Sequence, residues 1–200
     1  MKTMVMLIGA GAVGKSTISR LLVGEGATEY AVELNTVLKG EPARCRVRYA
    51  AGPTVALAGS LKNGSDSISA MDALRQVIDL CLQQRDVVIT DGVRCTCTLV
   101  DWLANHPSRP AVVFAHIAPP LTINMQRLSA RRAARGVTEE QLPDKTYWNV
   151  FHFRARARAV WRYAQAHYRR PQVQFVEIVH GTAEQAATQI VDALRGEGKE

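Results

Sequence analysis

The run Met4-Val5-Met6-Leu7-Ile8, followed at once by Gly9-Ala10-Gly11-Ala12-Val13-Gly14-Lys15-Ser16-Thr17, decides how this chain is read. Unbroken apolar residues of that length suit a strand buried on both faces of a parallel sheet. Glycines let the backbone turn its N–H groups inward. Beyond them Ile18, Leu21 and Leu22 form a helical stripe, which predicts a helix over residues 15–23. Strand, glycine-rich turn and helix in this order match G-x-x-x-x-G-K-[ST], in which inward N–H groups and the helix dipole enclose phosphate oxygens.

The chemistry of that pattern assigns Gly9, Ala10, Gly11, Ala12, Val13, Gly14, Lys15, Ser16 and Thr17 to binding ATP. Lys15 reaches the β- and γ-phosphates and the Ser16 hydroxyl ligates Mg²⁺. Residues 87–90 form the companion strand, and it ends in Asp91. A carboxylate emerging there can orient the metal, take a proton from an incoming hydroxyl, or do both, with Asp66 and Glu33 as reserves. Gly92 permits close approach, and Arg94 is a candidate partner for an anionic substrate.

Strand and helix patterns alternate along the rest of the chain. Residues 44–58 read as a hairpin in which Arg44, Arg46 and Arg48 alternate with Cys45, Val47 and Tyr49, turned by Gly52-Pro53. Residues 67–84 read as a helix with a capping box from Ser69 to Asp72. A helix over 98–105, a strand over 111–117, helices over 123–135 and 145–168, a strand over 173–179 and a helix over 183–194 complete the expectation. This is an α/β chain: a three-layer P-loop NTPase fold with a mainly parallel sheet, in one domain over 1–200.

Composition bounds the function. The 200 residues are 47% hydrophobic and 22% charged, which excludes wholesale disorder. No apolar run approaches the roughly 20 residues of a membrane span. No secretory signal is expected either, so the expected setting is cytoplasmic. Cys45, Cys81, Cys95 and Cys97 lack the spacing of a metal site or a disulfide framework.

Charge is more informative. Lys plus Arg is 25 against 18 Asp plus Glu, and the segment 127–170 holds eleven of the bases and three of the acids, leaving the remainder at −1. A segment at +8 is suited to polyanions, either nucleotide phosphates or a nucleic-acid backbone. Within it Arg127, Arg131 and Arg135 share one helical face with no compensating acid. A polyphosphate relieves their repulsion, so they form an Arg-rich helical lid within about 120–170, with Arg127 and Arg131 on the nucleotide and Arg131 stabilising the transferring group.

Nothing reads N-K-x-D or D-x-x-G, which disfavours a GTPase switch and leaves a small phosphoryl transferase. Two segments are candidates for the acceptor side. Residues 59–67 offer Lys62, Asn63 and Asp66 to a base or sugar, although Asp66 also suits a helix cap. Residues 147–163 interleave aromatics with arginines, as base stacking requires.

On Gly9 to Thr17, the loop 59–67 with its helix, the stretch Asp91-Gly92-Val93-Arg94-Cys95-Thr96 and the basic helix ending at Arg135, the chain resembles the bacteriophage 5-hydroxymethyluracil DNA kinases. The resemblance implies ATP-dependent phosphorylation of the hydroxymethyl group of a modified pyrimidine within DNA, a step in phage DNA hypermodification. A kinase acting on free deoxynucleoside monophosphates, and an ATP-binding module without phosphoryl transfer, stay open beside it.

Overall fold

The computed structural model describes residues 2–38, 40–92, 94–134, 136 and 145–196, with backbone alone at 38 and 145–147. The elements are β1 (Thr3–Gly9), α1 (Lys15–Val23), β2 (Thr28–Leu38), β3 (Glu41–Ala51), β4 (Val55–Leu57), a 3₁₀ turn (Ser65–Ser67), α2 (Met71–Gln84), β5 (Val87–Asp91), α3 (Cys97–Ala104), β6 (Ala111–Ile117), α4 (Leu121–Ala133), α5 (Lys145–His167), β7 (Val173–Ile178) and α6 (Ala183–Arg195). The fold is α/β, built on a seven-stranded, mostly parallel sheet in the order β2-β3-β4-β5-β1-β6-β7. Five of these strands, β4 to β7 in that order, run parallel around β1, while β2 and β3 form an antiparallel pair at one edge.

Apolar patterning explains the layering. Met4, Met6 and Ile8 point to one side, where they meet Leu74, Val77 and Ile78 of α2, Leu99 of α3 and Val160 and Trp161 of α5. Val5 and Leu7 point to the other, against Ile18 of α1 and Ile190 of α6. Each such side chain removed from water contributes roughly 1.5–3 kcal/mol, so the fully buried central strand anchors both layers. The β5-to-β6 connection passes over β1. Chains leaving β1 and β6 therefore depart in opposite directions and open a crevice at the carboxyl edge of the sheet, the usual place for a ligand in such folds.

Several expectations shift. β2 was absent from the sequence reading, and it is β2 that pairs with β3 along eleven residues. The expected hairpin turn at Gly52-Pro53 exists, but β3 and β4 pair only at Ala50↔Leu57 and Ala51↔Ala56. α2 starts at Met71, and Ala70 is its N-cap with no side-chain bond. The Ser69–Asp72 box does not form, because Asp72 faces Thr36 Oγ1 of β2 (3.5 Å) and Gln76 Nε2 (3.0 Å) instead. On α5, Trp161 is buried and stacks on His116, whereas Trp148 and Phe151 are exposed, so the aromatics divide between core and surface. Among the described residues no helix is long and apolar enough to cross a membrane.

Candidate active site

β1 delivers its chain to the crevice and α1 begins at Lys15, so residues 11–18 form one wall of a cavity of about 640 Å³. Gly14, the N-cap of α1, has no side chain with which to cap the helix, which leaves the positive end of its dipole turned to the cavity. Ala12 takes a positive φ of 61°, a strained choice for a side chain with a Cβ, of the kind that collects at ligand-binding loops. Lys15 is buried, and its Nζ donates to the carbonyls of Gly9 (2.9 Å) and Ala10 (2.6 Å). Gly9 packs against Ile117 and Val13.

The opposite wall comes from residues 59–67, of which Lys62, Asn63 and Asp66 line the cavity. This loop is clasped to the end of β5 twice. Gly64, at φ 58°, lies so close to Asp91 that a Cβ would collide with its carboxylate, and Gly92, at φ 92°, stands likewise against Asp66. Only glycine meets both the left-handed backbone and the close approach.

Asp91 is 1% exposed and does not line the cavity. Its Oδ1 accepts from the Ser65 N–H (2.8 Å) and its Oδ2 from Ser19 Oγ (3.1 Å). Ser65 Oγ in turn bonds the Ala58 carbonyl (2.5 Å) and Thr90 Oγ1 (3.0 Å). Asp91 therefore lies beneath the site and ties loop 59–67, β5 and α1 together. Burial pushes its pKa up, opposed by the Ser65 N–H and then by Lys15. Burial likewise pushes Lys15 down, opposed first by Asp91 and then by Asp66. Each group holds the other's charge in a dry setting.

α4 supplies the third wall. Its one buried side chain, Asn124, donates from Nδ2 to the Gly11 carbonyl (2.8 Å), and Arg127 Nη1 donates to the Val13 carbonyl (3.1 Å). Arg131 lines the cavity one turn on; Arg135 and Val93 lie outside the described residues. The end of β7 and the start of α6, residues 178–183, close the side away from loop 59–67. The sequence reading missed Asn124, Ser19, Ser65 and His180 to Thr182. Small polar residues at helix and loop positions carry no motif, and only the fold brings them to the 9–17 loop.

Other expected site residues lie apart. Arg94 is half-buried and does not line this cavity, and Glu33 stands on the exposed face of β2 opposite Arg46. Three arginines of the basic segment bond backbone carbonyls of the fold: Arg154 donates to that of Pro119 (2.7 Å), Arg169 to that of Ala166 (2.9 Å), and Arg170 to that of Ala104.

Chemically, the arrangement joins a backbone cradle, five cations (Lys15, Arg20, Lys62, Arg127 and Arg131) and one accessible carboxylate in a space large enough for a nucleotide-sized ligand. For Mg²⁺ the Ser16 hydroxyl and the Asp66 carboxylate border the same cavity. One or two such oxygens fit a hydrated Mg²⁺ shared with phosphates, an ion that rarely takes an all-protein cage. No group of three His, Cys, Asp or Glu side chains able to hold a metal ion occurs among the described residues. No protein-family model matches the chain, and no curated protein matches it.

Proposed function

We propose that this chain is a P-loop kinase that transfers the γ-phosphoryl group of ATP to the hydroxymethyl group of 5-hydroxymethyluracil in DNA. One observation carries the reaction class: a single cavity is walled by the 11–18 loop on one side and by Asp66 on the other, with Arg127 and Arg131 between. The strand-loop-helix order around Lys15 supports ATP as donor. The acceptor rests on the four-part resemblance in the sequence and on the excess of positive charge.

The residues divide the work. The Lys15 ammonium and the Arg131 guanidinium offset charge on the equatorial oxygens of the moving phosphoryl group. Arg127 and Asn124 hold the phosphate loop by its carbonyls. Asp66 takes the proton of the primary alcohol as the new O–P bond forms and the bond from γ-phosphorus to the β–γ bridging oxygen breaks, leaving ADP. Asp91 acts as a positioning residue beneath it, since both of its oxygens are engaged. Ser16 and Asp66 would hold a Mg²⁺ ion, which would supply positive charge to the triphosphate. Lys62 and Asn63 lie where the acceptor nucleotide enters. A base in a duplex reaches such a cleft only when flipped out, at a cost of a few kcal/mol.

The test supplies γ-labelled ATP and Mg²⁺ to duplex DNA with and without 5-hydroxymethyluracil, to hydroxymethyl-dUMP and to ordinary monophosphates. Label confined to the modified DNA is expected. Label only in monophosphates replaces the DNA acceptor with a free nucleotide. No label anywhere reduces the chain to a nucleotide-binding module.

A further inference from the structure

The β2–β3 pair has a register with a geometric consequence. Leu57 of β4 pairs with Ala50 and with Ile89, and β5 runs on to Asp91, so the β3 residues before Arg48 extend past the carboxyl end of β5. From Arg48 back to Glu41 that arm reaches about 23 Å at a strand rise near 3.3 Å per residue. It projects on the side where the cavity opens. Glu29 Oε1 at its base accepts from the Leu61 N–H (2.6 Å), which joins the arm to loop 59–67 next to Lys62.

The two faces of the arm differ. Val32, Leu34, Cys45, Val47 and Tyr49 pack into the core on the side of α2, and Gln76 Nε2 adds a bond to the Asn35 carbonyl (2.8 Å). The arm is thus backed by a helix. On the other face Arg44, Arg46 and Arg48 are exposed in a row, while α1 lies over β4 and β5. Opposite them stand Asn35, Glu33 and Ala31. Among the described residues, the one ion pair of the row is Arg48 with Glu29, at 3.9 Å and two-thirds exposed. Arginines at every second residue of a strand are about 7 Å apart, close to the separation of successive phosphates along a nucleic-acid strand. A rigid row of arginines with that pitch, its charge offset in part by Glu33 and Glu29 on the same face, complements a polyanion of regular charge spacing.

We propose that this outer face is the track for the phosphate backbone of the DNA substrate, with Arg44, Arg46 and Arg48 on successive phosphates and Lys62 leading into the cavity. The proposal rests on DNA being the acceptor and adds where the duplex lies. It moves the main backbone contacts from the basic segment 127–170 to an arm at the opposite edge of the sheet.

The test measures fluorescence anisotropy of a labelled duplex carrying 5-hydroxymethyluracil across a KCl series, beside phosphorylation of the same duplex. The variant Arg44→Ser/Arg46→Ser/Arg48→Ser is expected to lower the slope of log affinity against log salt by about 2–3, at roughly 0.9 per lost phosphate contact. Its kcat/KM for DNA falls while its affinity for an ATP analogue and its melting temperature hold. Replacing the same three residues by lysine restores the slope, which separates charge from folding. Should the serine variant keep the wild-type slope while the wild type phosphorylates DNA, the track is wrong and the kinase reading stands. A lysine variant as weak as the serine one also overturns the track. If the wild type neither binds nor phosphorylates the duplex, both readings fall together.

Discussion

Asp91 and Asp66 are two carboxylates clasped to one another's loops, one dry and one wet, and exchanging each for its amide separates their roles. In Asp91→Asn the amide oxygen can accept from the Ser65 N–H while Nδ2 donates to Ser19 Oγ, since a hydroxyl accepts as readily as it donates. Both bonds survive, so the cost of Asp91→Asn is the counter-charge that buried Lys15 loses and not a stranded donor. Asp91→Ala instead strands the Ser65 N–H and the Ser19 hydroxyl, each buried, at about 1–3 kcal/mol apiece. For a chain of this size that lowers Tm by roughly 5–20 °C. Ionisation also carries a sign. The folded pKa of Asp91 is raised, so its contribution to stability is complete at acid pH and lost as pH rises through the folded value. Asp91→Asn therefore gains on the wild type between acid and neutral pH. Melting curves at several pH values, read with phosphorylation of 5-hydroxymethyluracil DNA, check all of this. If Asp66 is the proton acceptor, Asp66→Asn loses about 10²-fold or more in kcat at unchanged Tm, and Asp91→Asn loses less than about tenfold. An Asp66→Asn enzyme near wild type, beside an Asp91→Asn enzyme down a hundredfold, would falsify the division.

Lys15→Ala should cut turnover by about 10²–10³-fold in the same assay; activity near wild type would show the ATP site to be elsewhere. Burial holds the His116 pKa below its usual value against the pull of Glu177, so its contribution to stability is present above the unfolded pKa and lost as pH falls. The urea midpoint should drop between about pH 7.5 and pH 5, and His116→Gln should flatten that part of the profile. Trp161→Ala should cost about 3–5 kcal/mol by emptying the space against His116 and Phe175. Trp148→Ala, exposed at 74%, should change stability by no more than about 0.5 kcal/mol.

What could be read from the sequence was local. The bounds of α1 and the run of β1 follow from neighbouring residues alone, and they match. β2 lies in residues 28–38, to which the sequence reading assigns no element, although Val32 and Leu34 alternate with Glu33 and Asn35. The pattern of residues 44–58 pairs β3 with β4, which leaves β2 without its true partner. Ser69 and Asp72 looked like a capping box because spacing says nothing of a rival donor to the Asp72 carboxylate, and Thr36 arrives from another strand. The same limit hid Asn124, whose bond to Gly11 spans 113 residues. Asp91 could be located but not its depth: nothing in the strand ending at it tells that Ser65 and Ser19 will seal both oxygens.

The reciprocal seating of Gly64 on Asp91 and Gly92 on Asp66 leaves little play between loop 59–67 and β5. Neither backbone can slide without driving a carboxyl group into the other, so this wall of the cavity behaves as a fixed anvil. α4, by contrast, is pinned through one buried amide and one guanidinium. Any narrowing of the crevice around a nucleotide therefore has to be a one-sided stroke, made by the arginine-bearing helix against a stationary block.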